Sequence, residues 1–477
     1  MNCIKFLLFF LFSCCILSAA EVVLLQSTDI HGQMSEESYQ PGIERIGAKI
    51  QEYRKIYGKN LIVFDCGDLT QGSYSATLDH GKSMIQALNY LKYDFWVPGN
   101  HDFDYGIASL RERIREFKGT VLLGNVELKD APPNVKRWML FRRNGKKIAV
   151  FGFAPPFLPH WIAPAQLAGS KQIPLDIALS QIMPEVKKVN PDLIFVAIHI
   201  GEFIPGRLLG TNKRVMLHKF FQKYPEIKLV FGGHTHLPTP MRRAGYFMNF
   251  IQAPPLSEGL ACVTVNFPKN KTEQLSFSGR LIPVSDSDPE PELEKMLHSH
   301  REKSKVLRKK VIANVPCSIG GDYKFGEILG KSLLEMTNAD AALCVRISDY
   351  RTKPGKIRDF QLFLLIPYEN YISVLTVGAD DMKAILREQT KLKQRKYAMI
   401  LTSDRVRYNK KTGKLYLDGE EWKDNSKKIR LVLTSYAASG AGGRYPVLRE
   451  TANRVTREEK NATLRDAFRV WLQKNYK

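Results

Sequence analysis

A chain of 477 residues with 44% hydrophobic and 25% charged side chains has enough apolar material for two or three domains with sizeable cores, which excludes a disordered or fibrous protein. The formal net charge of +23 is heavier after residue 288 and suits steering of anionic substrates, contact with an anionic surface, or a merely solvated basic face. No nucleic-acid-binding motif accompanies it, and the seven cysteines include neither a CxxC nor a zinc-finger spacing, so neither a specific nucleic-acid partner nor a structural zinc module is expected.

The first 20 residues read as a cleaved secretory signal. Lys5 precedes the apolar run Phe6 to Leu17, and Ser18-Ala19-Ala20 supplies small residues for cleavage, so the mature protein is expected in the periplasm or outside the cell. Leu11-Phe12-Ser13-Cys14 competes as a lipoprotein box, although Phe12 is bulky for that motif. No later run reaches the roughly 20 apolar residues of a membrane span. Beyond the signal, Cys66, Cys262, Cys317 and Cys344 leave room for one or two disulfides that the sequence cannot pair.

Residues 21–288 alternate apolar runs with amphipathic stretches, the pattern of a layered α/β domain. Strands are predicted at Val22 to Leu25, Leu61 to Phe64, Phe95 to Val97, Leu193 to Ile198 and Ile227 to Phe231. Helices are predicted at Ile43 to Tyr57, Ser83 to Leu91, Ile107 to Phe117 and Leu175 to Val189. Residues 289–312 hold a charged stretch, Pro291 to Val311, expected as an exposed linker helix. In residues 313–477, a second and smaller α/β domain is expected. Its helices are Phe325 to Thr337, Ala379 to Arg387 and a final one over Glu458 to Gln473; its strands are Ala341 to Val345, Ile372 to Val377, Leu415 to Leu417 and Ile429 to Leu433.

Chemistry gathers where the first domain's strands end. Asp29-Ile30-His31, Gly67-Asp68, Gly99-Asn100-His101-Asp102, His199 and Gly232-Gly233-His234-Thr235-His236 each follow an apolar run. Carboxyl ends of strands are where α/β sheets collect ligands. Asp29 and His31, two apart, can reach one ion, and Asp68 can bridge two ions with its two oxygens. Asn100 offers an amide oxygen, while His199, His234 and His236 offer imidazole nitrogens. Oxygen and nitrogen donors without thiolate suit Zn, Mn, Fe or Co. Two such ions about 3.5–4 Å apart clamp a phosphate and activate a water. Each element recurs by chance when taken alone; the ordered set carries the reading.

This order, D-x-H, G-D, G-N-H, H and G-H-x-H, resembles the calcineurin-like metallophosphoesterases. Ser27-Thr28-Asp29-Ile30-His31-Gly32, Asp65-Cys66-Gly67-Asp68 and Gly99-Asn100-His101-Asp102-Phe103-Asp104-Tyr105-Gly106 bring it closest to the secreted 5′-nucleotidase/UDP-sugar hydrolase branch. The resemblance implies a four-layer α/β/β/α first domain and two divalent ions. One ion would take Asp29, His31, Asp68 and His236; the other would take Asp68, Asn100, His199 and His234. It also implies that His101, oriented by Asp104, faces the phosphoryl group, and that attack by a metal-bound hydroxide hydrolyses a nucleotide-type ester. The candidates are nucleoside monophosphates, UDP-sugars, 2′,3′-cyclic nucleotides or a non-nucleotide ester. Glu is commoner in the family at the position of Asp102, a departure with no evident consequence in the sequence.

For the second domain, the resemblance implies a base sandwiched between aromatic rings. Tyr368, in Pro367-Tyr368-Glu369-Asn370, and Tyr436, before the glycine-rich loop Gly440 to Tyr445, take those places, with Asn370 beside them. That loop lacks the acid the family carries there. Arg346 and Arg351 compete for a substrate-arginine role, with Arg351 favoured. A monomer is expected. The alternative from another class is a non-catalytic basic surface binder with structural metals, against which the complete ligand set argues.

Overall fold

The structure is a computed structural model that describes residues 21–35, 40–245, 248–268, 273–321, 324–345, 347–392 and 397–476. The expected signal segment, with the Cys14 lipidation alternative, and Arg346 lie outside the described residues.

Two sheets pack face to face in the first half of the chain. One has seven strands in the order Ser276–Pro283, Gly259–Asn266, Glu21–Ser27, Leu61–Asp65, Phe95–Trp96, Thr120–Leu122 and Val135–Lys136. The other has six, in the order Thr239–Ala244, Met248–Gln252, Ile227–Phe231, Leu193–Ile198, Lys146–Phe153 and Trp138–Arg143. The central strands of each sheet run parallel. Such strands are covered on both faces and read as continuous apolar runs rather than as alternation, which is why the sequence announces them.

Alternate side chains of Glu21–Ser27 show how the layers form. Val22 and Leu24 turn between the sheets and meet Phe64, Phe95, Phe195 and Phe231. Val23 and Leu25 turn outward onto helices Ile43–Tyr57, Lys82–Tyr90 and Gly106–Glu116, through Ile46, Ile50, Leu88 and Ile114. The second sheet packs its outer face on helix Leu175–Lys188 through Leu179, Ile182 and Val186. The result is four layers, α/β/β/α. Each fully buried Leu, Val or Phe here contributes roughly 1.5–3 kcal/mol, so the sheets form a stiff platform under their strand-end loops.

The helix after this domain, Pro291–Arg308, is not the exposed linker expected from its charge. Leu293, Leu297, Arg301 and Ser304 repeat at helical spacing and are buried against the first domain. Arg301 Nη1 lies 3.0 Å from Glu44 Oε1, a buried ion pair that ties this helix to Ile43–Tyr57. The helix stops at Arg308, and Val311–Val315 is a strand paired with Gly355–Arg358 rather than the helix end.

The second half is built on a five-stranded sheet in the order Ile400–Thr402, Ala341–Cys344, Ile429–Thr434, Tyr371–Val377 and Arg457–Thr463. Helices Phe325–Thr337 and Leu464–Asn475 cover one face, while Ala379–Lys391 and Pro446–Arg454 cover the other. The expected terminal helix therefore begins later. Residues 457–463, of sequence REEKNAT, form an edge strand antiparallel to Tyr371–Val377, and Thr463 caps the helix that follows. Cys66, Cys262, Cys317 and Cys344 are all free.

Candidate metal centre

Five of the seven expected ligands sit in left-handed backbone: Asp29 (φ 53°), His31 (53°), Asp68 (54°), His234 (74°) and His236 (55°). Asp and His tolerate this region better than most residues, yet it persists only where the surroundings over-determine it. Here they do. Asp29 N donates to Gly67 O at 2.8 Å, and His31 N donates to Asp68 O at 2.8 Å, so two strand-end loops hold each other. Gly67 itself (φ 95°) has no room for a side chain, because a Cβ there would stand 2.4 Å from Gly99 N.

The polar atoms converge in two groups, Asp29, His31 and His236, and Asp68, His199 and His234; within each group the ligand atoms lie within 4.8 Å of one another. His31 Nδ1 faces the Gln71 carbonyl at 2.8 Å and His199 Nδ1 faces the Cys66 carbonyl at 2.6 Å. A carbonyl can only accept, so each ring carries its proton there and turns Nε2 inward as a lone pair when neutral. Asp68 Oδ2 lies 3.0 Å from His199 Nε2 and 3.8 Å from His31 Nε2, and so faces both groups. Its other oxygen accepts from His101 N at 2.7 Å.

Among the described residues, two buried candidate ligand atoms, Asn100 Oδ1 and His234 Nδ1, find no hydrogen-bond partner, while His199 Nε2 faces the Asp68 carboxylate. Unmatched polar atoms are expensive in a dry site, and such atoms beside ionised carboxylates fit a cation. The electrostatics agree at His31 and His234. Burial pushes the pKa of His31 and of His234 down to about 4, the neutral state a ligand needs. Burial opposes charge on His199 too, but Asp68 and Asp29 outweigh it and hold its pKa up at about 10. Burial would likewise raise both carboxyls, yet the facing histidines keep Asp29 below and Asp68 well below the usual carboxylate range. Two buried carboxylates that stay ionised favour positive charge between them. The residues present therefore fit a pair of divalent ions.

Asp102 is a residue whose part the sequence does not reveal. Its buried carboxylate accepts from Asp68 N, Leu69 N, Thr70 N, Thr70 Oγ1 and Gly99 N at 2.7–3.1 Å. It staples the loop carrying Asp68 to the loop carrying Asn100. The available signal was an acid just after a glycine-led strand end, with loop amides as its natural partners.

His101 Nδ1 lies 2.8 Å from Asp104 Oδ2, which leaves Nε2 for the cavity in front of the centre. Burial opposes its charging, but Asp104 and Asp68 hold its pKa up at about 9. Asp104, raised by burial and lowered by His101, sits at about 6. The cavity, about 430 Å³, lies between the two halves and is lined by Asn100, His101 and His234 from the first and by Tyr368, Asn370 and Tyr436 from the second. Tyr368 stacks on His101 with ring centroids 5.6 Å apart. Arg351 does not line this cavity. It is exposed and forms a backbone bridge with Gly320. The arginines that do line it, Arg207 and Arg444, were not singled out by the sequence.

Residues 22–238 match the family model of the calcineurin-like phosphoesterases. These residues form a calcineurin-like phosphoesterase domain of this chain. Within its calcineurin-like phosphoesterase domain the D-x-H, G-D, G-N-H, H and G-H-x-H elements are the ones that meet at the centre described above. A curated relative, the 2′,3′-cyclic-nucleotide 2′-phosphodiesterase/3′-nucleotidase of Haemophilus influenzae, is 25% identical over 326 residues, 58% of this chain and 48% of that protein. The UshA protein of Escherichia coli is 25% identical over 46% of this chain and 41% of its own length. The matches thus span less than half the length of these relatives. Among solved structures, a candidate 5′-nucleotidase from Staphylococcus aureus in complex with α-ketoglutarate has a TM-score of 0.78 at 20% identity, covering 96% of this chain and 97% of that one. The likeness extends over both halves of the fold.

Proposed function

We propose that the chain is an exported two-metal phosphoesterase that hydrolyses nucleotide-type phosphate esters, as a 5′-nucleotidase, UDP-sugar hydrolase or 2′,3′-cyclic nucleotide phosphodiesterase does. The observation that carries this reading is the Asp68 carboxylate, whose Oδ2 faces His199 at 3.0 Å and His31 at 3.8 Å, beside buried and unmatched Asn100 and His234 atoms. Asp29, His31, Asp68 and His236 would hold one ion; Asp68, Asn100, His199 and His234 would hold the other. When bound, such a pair neutralises phosphoryl oxygens and activates a water.

The chain's own groups do the rest. His101, fixed by Asp104, offers Nε2 to a phosphoryl oxygen where negative charge grows. As the water oxygen bonds to phosphorus, the ester P–O bond breaks and the alcohol oxygen leaves with a proton. Tyr368 and Tyr436 present rings to the organic part of the substrate, and stacking on such rings contributes roughly 1–3 kcal/mol while tolerating different bases. Export rests on the Phe6 to Leu17 run and Ser18-Ala19-Ala20, and is checked by N-terminal sequencing of the protein recovered from each cell fraction. Among the described residues no helix is long and apolar enough to cross a membrane.

The test is hydrolysis of AMP, a UDP-sugar, a 2′,3′-cyclic nucleotide and p-nitrophenyl phosphate by the purified chain, with and without chelator. Chelator-sensitive turnover of at least one nucleotide supports the reading. Absence of turnover on all four with both metal sites filled supports the binding protein instead.

A further inference from the structure

Four residues with formal charge line the cavity beyond the candidate metal ligands: Asp104, Glu369, Arg207 and Arg444. Both acids are matched. Asp104 holds His101 at 2.8 Å, and Glu369 pairs with Arg465 at 2.8 Å. Neither arginine is: among the described residues, no carboxylate lies within ion-pair distance of Arg207 or Arg444. Arg444 uses Nη1 on Tyr436 Oη (3.0 Å) and on the Ala441 carbonyl (2.9 Å), and rests on the Tyr397 ring at 4.6 Å. Arg207 uses Nε on the Gly442 carbonyl at 2.8 Å. Both Nη groups of Arg207, and Nε and Nη2 of Arg444, donate to no protein acceptor among the described residues.

The two guanidiniums come from opposite halves of the fold. Arg207 belongs to the Gly206–Leu209 turn of the phosphoesterase domain, and Arg444 to the glycine-rich loop that leads into Pro446–Arg454. They meet because that loop touches the first domain, where Gly442 N donates to the His160 carbonyl at 2.8 Å. Burial lowers the pKa of Arg207, and Arg444 lowers it further, so the two cations feel each other. A pair of like charges with unused N–H groups in a cavity wall is a receptor for an oxyanion, which would accept several charge-assisted hydrogen bonds at once.

We propose that Arg207 and Arg444 together bind a second oxyanion on the organic part of the substrate, so that the preferred ester carries a phosphate or carboxylate in addition to the phosphoryl group that is cleaved. The inference rests on the phosphoesterase reading for the first anion and adds the second. The acid missing from the glycine-rich loop then has a physical consequence: an acid there would repel this group, whereas Arg444 attracts it. Because the contact of the loop with the first domain brings the two arginines to one cavity, the second anion also favours that contact.

The test compares AMP with adenosine 3′,5′-bisphosphate and, for a carboxylate source, 3-phosphoglycerate, on the metal-loaded full chain and on Arg444→Gln, Arg207→Gln and Arg444→Lys. The expected result is a KM for one doubly anionic ester at least tenfold below that for AMP. That ratio should collapse toward one in either Gln variant and be partly kept in Arg444→Lys. Which of the two esters shows the preference identifies the second group as phosphate or carboxylate. Calorimetric binding of the same three compounds reads the inference without turnover, so a failure of hydrolysis counts against the phosphoesterase reading alone. Equal KM and equal affinity for AMP and both doubly anionic compounds overturns the inference. So does an equal loss for all three compounds in the Gln variants, which would make the arginines loop clamps.

Discussion

Asp68 Oδ2 lies 3.0 Å from His199 Nε2, and the same oxygen also faces His31 across 3.8 Å. One carboxylate oxygen between two histidine groups is the feature on which a paired metal centre depends. Asp68→Asn keeps the shape and removes the charge. It should abolish phosphatase activity and reduce bound metal from about two ions to one or fewer by elemental analysis. Two ions retained with normal turnover would rule out a bridging role.

His101 is placed for the substrate, with its Nδ1 on Asp104. His101→Asn should lower kcat by roughly 10²–10³, the scale of losing one transition-state donor, and leave metal content unchanged. Asp104→Asn should also lower kcat with metal content unchanged, because an amide fixes the ring's tautomer and orientation less firmly than a carboxylate. Loss of metal in His101→Asn would make that residue a ligand.

Asp102 receives five hydrogen bonds from two ligand-bearing loops. Removing a buried charged acceptor costs about 1–3 kcal/mol for each donor left unmatched, with less than additive sums. Asp102→Ala should therefore destabilise the chain by about 3 kcal/mol or more in denaturant unfolding and weaken metal retention together. A variant of native stability that retains both ions would show the staple to be dispensable.

These residues mark what the sequence made legible. Strands such as Leu193–Ile198 are buried on both faces, so their apolar runs could be read directly, and the ligands at their ends followed from position. Residues 457–463 could not be read in the same way. They form an edge strand of charged and polar residues whose ladder is backbone pairing with Tyr371–Val377, and backbone pairing leaves no apolar period. The buried stripe Leu293, Leu297, Arg301 and Ser304 was hidden by the charges around it. Asp102 reads in the sequence as a departure in residue type alone, because its partners are loop amides that no side-chain pattern reports. Arg444 and Arg207 lie more than 200 residues apart in sequence, and the contact of the glycine-rich loop with the first domain brings them to one cavity.

The Arg301–Glu44 pair anchors the charged helix to the first domain, with both side chains almost fully buried. Arg301→Met leaves the Glu44 carboxylate without its cation and should cost about 3–5 kcal/mol. Adding Glu44→Gln, which keeps an acceptor for Ser35 N, should recover at least half of that loss. Chemical denaturation of the two variants reads the difference. Equal stability of the single and double variants would mean that the pair is not energetically coupled.

The most direct test of the two-metal account is a titration of the chelated, purified chain with Mn or Zn, following bound metal and hydrolysis of p-nitrophenyl phosphate on the same sample. A two-metal centre should show negligible turnover without metal, little with one ion per chain, and full activity as the second binds. Full turnover in the metal-free protein, or saturation of activity at a single ion, would contradict it.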